Sequence, residues 1–214
     1  MTDKEIALEE RGRAERRLFS PSAARNRDPI RDAFLKMMPR SGVILEVGSG
    51  TGEHAVHIAA SAPGLIWRPG DPDAASRDSI AAWAEHLGLK NIAAPHAIDV
   101  TAANWDEGLD PVDGVVSINM IHIAPFIAAE GLIHGAGRLL RRGGRLFLYG
   151  PFARNGAHTA PSNAAFDASL KARDPRWGVR DLDCEIVPRA VAAGLMLEEI
   201  IEMPANNFSV SFRR

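Results

Sequence analysis

The chain has 214 residues, of which 46% are hydrophobic, which suits one domain with a full core. Its formal charge of -2 gives no general electrostatic reason to expect a nucleic acid or an anionic membrane as partner. The single cysteine, Cys184, excludes an intrachain disulfide framework and a zinc site built from several cysteines. No stretch is apolar enough for a signal peptide or a membrane span, so we expect a cytoplasmic protein.

The N-terminal region is charged and is interrupted at Ser20-Pro21. Residues 3–19 predict a mixed-charge helix with a thin apolar face, so residues 1–19 are expected to be a flexible extension or a lid. Residues 20–214 are expected to form a single domain. Within it, Asp28 and Pro29 have the chemistry of an N-cap and a first helical residue, and Pro39 ends that helix.

A strand, a glycine turn and a helix follow between Gly42 and Pro63. Residues 43–47 form a β-branched and aliphatic run, which is typical of a strand buried on both faces of a parallel sheet. Gly48, Gly50 and Gly52 come next, at alternate positions. Without Cβ atoms the backbone turns tightly there and a ligand approaches it closely.

The spacing of these glycines is G-x-G-x-G, whereas dinucleotide-binding folds have G-x-G-x-x-G to place a pyrophosphate at the helix N-terminus. An acid, Glu46, stands two residues before the first glycine. This form resembles the first motif of the Rossmann-like (class I) S-adenosylmethionine-dependent methyltransferases, whose ligand carries no phosphate. The alternative is a tight turn that binds nothing. The resemblance implies cofactor contacts from the following residues: Glu46, Gly48, Ser49, Gly50, Thr51 and Gly52.

Two further acids end the next two predicted strands. Asp71 follows residues 65–70 and lies nineteen residues after Gly52, close to the interval at which nucleotide-binding folds place a ribose-binding carboxylate. Asp71-Pro72 is also good helix-capping chemistry, and Asp73 is a rival for the ribose. Asp99, followed by Val100, ends residues 92–98. In the methyltransferase pattern this position receives the adenine amino group, and the alternative is an ordinary loop acid.

The elements that follow keep alternating. The sequence predicts a helix over residues 71–87, a short helix over 101–108, a strand over 112–119, a helix over 125–142 and a strand over 146–149. Together with the earlier elements this indicates an α/β, doubly wound, mostly parallel sheet. In such folds ligands bind at the carboxyl ends of the central strands.

Cofactor contacts and catalytic groups are both expected at those strand ends. Asn119 and Met120, which follow the fourth strand, are expected to contact the cofactor, as are Pro72 and Val100 beside the two acids. His122, also after the fourth strand, and Tyr149, which ends the fifth, are the candidates for catalysis. His122 is a candidate base because its ordinary pKa lies near neutrality, with a structural hydrogen bond as the alternative. Tyr149 is a candidate for orienting a substrate, or else a strand-end aromatic.

A metal site is not expected. His54 and His57 lie three apart on one helix, but a metal would need a third ligand that the sequence does not identify. Surface positions on the helix are the favoured interpretation for both histidines.

The C-terminal third contains a long connection and a closing pair of strands. Residues 153–183 are long for a connection between sheet elements, and we interpret them as a cap insertion over the substrate side. An Arg/Asp ion-pair network that fastens this segment to itself is the alternative. Residues 195–203 and 208–212 predict an antiparallel pair. A terminal antiparallel strand is a signature of class I methyltransferases, so the expected sheet is seven-stranded and Rossmann-like.

Several motifs together resemble one family within that class, the domain-of-unknown-function 938 family, the group that contains methyltransferase-like protein twenty-six. The resemblance covers nearly everything after residue 19. It rests on residues 20–30, 50–55, 119–123, 148–152, 166–170, 173–175, 177–181 and 203–207. It implies a methyltransferase-like fold and S-adenosylmethionine as cofactor. Class I enzymes also place the segment before the first strand over the cofactor, which adds Asn26 and Arg27 to the candidate contacts.

The sequence therefore favours an S-adenosylmethionine-dependent methyltransferase with a small-molecule acceptor. Many methyltransferases that act on amino groups of nucleic acids and proteins have an Asn-Pro-Pro-aromatic motif after the fourth strand. This chain lacks the motif there, which disfavours nucleic acid as the acceptor. The alternatives are a non-catalytic S-adenosylmethionine-binding or adaptor protein and, less favoured, an NAD(P)-dependent oxidoreductase. The oligomeric state stays open.

Overall fold

The computed structural model describes residues 10–214, which form eight strands and six α-helices within that range. In chain order these are β1 (Gly12–Ala14), β2 (Arg17–Phe19), α1 (Pro21–Met37), β3 (Gly42–Val47), α2 (Glu53–Ser61), β4 (Leu65–Gly70), α3 (Ala74–His86), β5 (Val112–Ile118), α4 (Phe126–Leu139), β6 (Leu140–Gly150), α5 (Pro161–Arg173), α6 (Val187–Ala192), β7 (Met196–Met203) and β8 (Asn207–Arg213).

A six-stranded sheet in the order β4-β3-β5-β6-β8-β7 carries the fold. The pairs β3–β4, β3–β5 and β5–β6 are parallel, whereas β8 runs antiparallel to both β6 and β7. The α/β class, the mostly parallel sheet and the antiparallel terminal strand are confirmed. The expected count of seven strands in this sheet is wrong, because the sheet has six.

The missing strand is the one predicted over residues 92–98. Its backbone pairs with β4 at Trp67, where Ala93 N–H donates to Trp67 O at 2.8 Å. In a regular parallel ladder the next two donors would be the nitrogens of residues 69 and 95. Both are prolines and carry no N–H, so the ladder breaks after one bridge. It resumes as an isolated bridge between Gly70 and His96.

The N-terminal residues also differ from expectation. Within residues 10–19 the chain forms the β1–β2 hairpin, so the helix predicted there is wrong; residues 1–9 lie outside the described residues. Helix α1 begins at Pro21, with the Ser20 hydroxyl accepting the Ala23 amide as N-cap. Pro29 therefore lies inside α1 instead of at its start.

The hydrophobic core lies on both faces of the sheet. One cluster packs α4 and α6 against residues such as Leu146 and Val210, and the other packs α1 and α2 against Trp67 and Phe147.

The predicted helix over residues 101–108 is wrong, since this segment forms turns. Helix α4 ends at Leu139 and β6 begins at Leu140, so residues 140–142, predicted as helix, belong to the strand. No helix among residues 10–214 combines the length and the apolar character that crossing a bilayer requires.

Candidate functional site

The glycine turn after β3 lies at the carboxyl edge of the parallel strands. Gly48, Gly50 and Gly52 have φ angles of 73°, 56° and 86°, a region that glycine enters without a steric penalty. A Cβ at Gly48 would lie 2.6 Å from Met120 Cγ, and one at Gly52 would lie 2.9 Å from Ile80 Cα. At Gly50 the nearest atom to such a Cβ is Arg11 Nη2, at 3.9 Å. Two of the glycines therefore serve packing, whereas the backbone of Gly50 is approached only by the end of the Arg11 side chain.

Asp71, at the end of β4, binds this turn directly. Its Oδ2 accepts the Gly50 amide and its Oδ1 accepts the Asp73 amide, both at 2.9 Å. Burial raises the pKa of the Asp71 carboxyl, and these two amide hydrogen bonds counter the rise. Each oxygen keeps a further lone pair. The structure thus brings the predicted ribose carboxylate and the predicted glycine turn together.

Glu46 supports the turn from inside the protein. It is 1% exposed, and its Oε2 accepts the Trp67 Nε1–H at 3.0 Å. Burial raises the pKa of Glu46 to about 7, although hydrogen bonds from Trp67 and Ser49 favour the ionised form. The Ser49 hydroxyl also accepts the Gly70 amide at 3.3 Å, which joins the turn to β4.

Thr51 joins the turn to α2 and α3. Its hydroxyl donates to Glu53 Oε2 at 3.0 Å, and its carbonyl accepts the Ser79 hydroxyl at 2.7 Å. The turn is therefore held from both sides by side chains of neighbouring helices.

The other predicted acids are engaged in local hydrogen bonds. Asp73 is the N-cap of α3 and accepts the Ser76 amide and hydroxyl, so its carboxylate is already committed. Although burial opposes it, these bonds hold the pKa of Asp73 below its usual range. Pro72, between the two acids, accepts from Arg77 through its carbonyl.

Asp99 follows the interrupted strand and is exposed. Its Oδ1 accepts the amide and the hydroxyl of Thr101, at 2.9 and 2.7 Å. Val100, next to it, is buried and packs against α4, where a Cβ on Gly131 would meet Val100 O at 1.9 Å. A contact between Asp99 and an adenine amino group stays a prediction.

Asn119 and Met120 follow β5 and reach the glycine turn. Asn119 has a φ of 61°, a left-handed conformation that asparagine tolerates better than most residues, and its N–H donates to Tyr149 O at 2.8 Å. Met120 begins a 3-10 turn and packs against Gly48. The ends of β3, β5 and β6 are therefore joined at one edge.

His122 is 1% exposed and packs edge-on against Phe152, with ring centroids 4.9 Å apart. Its Nδ1 accepts the Arg180 amide at 3.2 Å, so in the neutral ring the proton is on Nε2. No partner for Nε2 exists among residues 10–214, and a Cβ on Gly150 would lie 2.2 Å from it. Burial, and then the charge of Arg180, lower the pKa of His122 to about 3. In this arrangement His122 is a neutral hydrogen-bond donor.

A chain of polar side chains lies at the carboxyl end of β6 and consists of Tyr149, Asn26 and His54. Burial raises the pKa of Tyr149, and a hydrogen bond with the Asn26 side chain opposes that rise. Asn26 Oδ1 in turn pairs with His54 Nε2 at 2.8 Å. Burial, and then the charges of His57 and Arg27, lower the pKa of His54 to about 4. Asn26 from α1 is therefore connected to the end of β6, and a cofactor contact from Asn26 stays a prediction.

Arg27 lies elsewhere. It lines a cavity of about 300 Å³ between α1, α2 and α3, together with Glu53, His57 and Trp83. His57 Nε2 lies 2.8 Å from Asp28 Oδ1 at the surface. Among residues 10–214, no group of three or more histidine, cysteine or acidic side chains is placed to hold a metal ion. A cofactor contact from Arg27 stays a prediction.

The segment predicted as a cap packs on the turn that carries His122. Gly178 N–H donates to His122 O at 3.0 Å, and the buried Arg180 guanidinium donates to Ile121 O and Ala124 O at 2.9 and 2.7 Å. Internal ion pairs also form, among them Arg154–Asp183 at 2.7 Å. The segment is thus held both to itself and to the carboxyl end of β5.

Two residues near the site were missed by the sequence analysis. Arg11 reaches Gly50 from the N-terminal hairpin, and Arg180 fixes the orientation of His122. Arg11 stands in a run of mixed charges and Arg180 in an apparent ion-pair segment, so neither carries a local signal.

A model of the family described as "Protein of unknown function (DUF938)" matches residues 17–214, which confirms the family resemblance. Three similar solved structures were found. A putative O-methyltransferase from Nostoc punctiforme has a TM-score of 0.76 and 17% identity, over 91% of this chain and 57% of that chain. An O-methyltransferase family 2 protein from Planctomyces limnophilus, in complex with apigenin, has a TM-score of 0.75 and 19% identity, over 90% of this chain and 60% of that chain. PigF with SAH has a TM-score of 0.70 and 16% identity, over 89% of this chain and 56% of that chain. At these identities the likeness shows the fold, which is that of the methyltransferases. The chain spans 56 to 60% of the length of these proteins.

Proposed function

The chain belongs to the DUF938 family of proteins of unknown function, and we propose that it binds S-adenosylmethionine and transfers the methyl group to a small-molecule acceptor. The observation that carries the proposal is the pairing of Gly50 with Asp71. The Gly50 amide donates to Asp71 Oδ2 at 2.9 Å, at the sheet edge where α/β folds bind ligands, and among residues 10–214 only the end of the Arg11 side chain comes within 4 Å of the missing Cβ of Gly50. PigF, which has the same fold, is described with SAH.

The residues at this edge fit an adenosyl ligand better than a dinucleotide. Asp71 has free lone pairs on both oxygens for vicinal ribose hydroxyls. Asp99, on the next segment of the same edge, would take the adenine amino group. The turn offers no third glycine at the spacing that brings a pyrophosphate onto a helix N-terminus, which disfavours NAD(P).

When bound, the sulfonium of this cofactor supplies an electrophilic methyl group, so the protein mainly has to align the acceptor and exclude water. Asn119, with its left-handed backbone, and Met120, which packs against Gly48, are the proposed cofactor contacts from the end of β5. Tyr149, held by Asn26, is the candidate for orienting an acceptor.

A role for His122 as general base would require a change in its hydrogen bonding. Nδ1 already accepts the Arg180 amide and Nε2 carries the proton, so no lone pair is free to take a proton. We therefore propose that His122 is a positioning residue that holds the turn after β5 to residues 178–180, and that the acceptor loses its proton to solvent or reacts as a neutral nucleophile.

A screen with methyl-labelled S-adenosylmethionine tests the proposal. The protein is incubated with fractionated metabolite extracts, and transfer of label to a small molecule is measured. Asp71→Asn removes the charge at the proposed ribose contact, and Asp110→Asn, at an 82% exposed side chain, is the matched control.

We expect labelled product with the unmodified protein and with Asp110→Asn, and at least a tenfold loss with Asp71→Asn, because a hydrogen bond to a charged group contributes about 1.5–3 kcal/mol. Tight cofactor binding without any labelled product would instead favour the non-catalytic alternative. Absence of both binding and transfer would refute the proposal.

A further inference from the structure

The N-terminal hairpin is anchored along α3, next to the glycine turn. Leu18 N–H donates to Ser79 Oγ at 2.8 Å, and Leu18 O accepts the Trp83 Nε1–H at 2.9 Å. Phe19 packs edge-on against Trp83, with ring centroids 4.9 Å apart. These contacts hold β2 firmly and leave the preceding residues to extend toward the carboxyl edge of the sheet.

Arg11 lies at the end of that extension, above Gly50. Its Nη1 donates to Ser76 Oγ at 3.3 Å, and its Nη2 lies 3.9 Å from the point where a Cβ of Gly50 would stand. Burial raises the pKa of the Asp71 carboxyl, and the guanidinium charge is close enough to offset part of that rise and to help hold the pKa of Asp73 low. One cation thus faces the bare backbone and the two acids of the proposed cofactor site.

The space between Arg11 and Gly50 is too small for a ligand. A ligand atom needs about 3.5 Å to each neighbour, or about 7 Å between the two groups. The separation of Arg11 Nη2 from the Gly50 Cα is at most the 3.9 Å to the Cβ position plus one C–C bond of about 1.5 Å. A ligand that contacts Gly50 along the direction of the missing Cβ must therefore displace the guanidinium.

Arg11 also stands outside the part of the chain that the family model covers, which begins at residue 17.

We propose that Arg11 occupies the adenosyl-ligand position over Gly50 and must withdraw before the ligand enters, so that it limits the rate of cofactor entry. This rests on the proposed function. Withdrawal breaks one weak hydrogen bond to Ser76 and separates the guanidinium from Asp71, which then turns its free lone pairs to the ligand. The anchored strand β2 stays in place while the arginine side chain moves.

Stopped-flow mixing with S-adenosylhomocysteine, followed by tryptophan fluorescence, tests this. Arg11→Ala is compared with the unmodified protein and with Arg13→Ala. Arg13 is on the same hairpin, but its Nε donates to Glu15 O within the hairpin, so its loss removes equal charge without uncovering Gly50.

We expect Arg11→Ala to bind S-adenosylhomocysteine with an association rate at least threefold higher and a correspondingly lower Kd, while Arg13→Ala matches the unmodified protein. An unchanged or slower association of Arg11→Ala, or a raised Kd, would overturn the inference and leave the proposed function standing. If none of the three proteins binds S-adenosylhomocysteine, the proposed function fails and the inference fails with it.

Discussion

At Gly50 the backbone has a φ of 56°, and Arg11 is the neighbour within 4 Å of the point where a Cβ would stand, whereas Gly48 and Gly52 are closed by Met120 and Ile80. One motif therefore contains two kinds of glycine. The outer two let the turn pack against fixed neighbours, and the middle one is faced by the end of a single flexible side chain, Arg11. The difference depends on which side chains arrive from distant parts of the chain, so the spacing alone does not reveal it.

Gly50→Ala separates these roles. An alanine in the left-handed region costs about 1–2 kcal/mol, and its methyl group would project into the space that the ligand needs. We expect a protein that folds with a modestly lower free energy of unfolding and binds S-adenosylhomocysteine at least tenfold more weakly, by calorimetry.

Gly88→Ala is the control, because Gly88 has a φ of 63° and nothing within 4 Å of its Cβ position. It should lose a similar free energy of unfolding and keep its affinity. Equal affinities for the two variants would show that no ligand approaches Gly50.

Glu46 makes stability depend on pH. Its pKa is raised by burial from 4.5 to about 7, so the folded state holds this proton where the unfolded state has released it. The free energy of unfolding that this proton contributes is about 3 kcal/mol in total. It is fully present below pH 4.5 and is lost as the pH rises through about 7.

Glu46→Gln imitates the protonated carboxyl and keeps an acceptor for Trp67. In urea unfolding, the variant should gain stability relative to the unmodified protein between pH 5 and pH 8. A constant difference across that range would show that Glu46 does not titrate there.

The roles of single residues could be predicted only where the motif and the strand ends determine them. The juxtaposition of Asp71 with the glycine turn follows from parallel strands ending at one edge, and it is found. The hydrogen bond of His54 to Asn26 and that of His122 to Arg180 depend on the packing of α1 and of residues 153–183, which leaves no trace in local spacing.

Among the elements, prolines account for the largest differences between the predicted and the observed secondary structure. Pro69 and Pro95 fall at the two donor positions of one ladder step, so an apolar, strand-like segment fails to form a regular strand. Pro21 and Pro29 both have helix-start chemistry, and the Ser20 cap decides for the earlier one. Pattern reasoning finds the elements, and these choices depend on tertiary hydrogen bonding.

A buried arginine helps to hold residues 153–183 to the carboxyl end of β5. Arg180 donates to the carbonyls of Ile121, Ala124 and Arg176, and lysine cannot reproduce this planar fork. We expect Arg180→Lys to lower the free energy of unfolding by about 2 kcal/mol. Since the Arg180 amide also orients His122, loosening this segment should hydrate the ring and raise the pKa of His122, measured by NMR.

Arg176→Lys is the matched control, because Arg176 is 69% exposed and its ion pair with Asp174 is at the surface. It should change stability little and leave the His122 titration unmoved. An unaltered His122 pKa in Arg180→Lys would show that burial of the ring does not depend on the cap.

Across the whole molecule, two core clusters pack on the two faces of the sheet. The alternating elements and the closing antiparallel pair predict the class of this sheet, whereas the position of β8 between β6 and β7 is known only from the structure. What the sequence could not supply is how the carboxyl edge of the sheet is covered, because Arg11 lies in the charged N-terminal region and comes to Gly50 only through the hairpin.

The central claim is that this edge binds an adenosyl ligand in preference to a dinucleotide. A ligand that binds only the folded state raises the free energy of unfolding by about 2.7 kcal/mol at one hundred times its Kd. The direct measurement is urea unfolding with S-adenosylhomocysteine or with NADH at matched concentrations. The account predicts a concentration-dependent gain with S-adenosylhomocysteine and none with NADH. Stabilisation by NADH alone, or by neither compound, would contradict it.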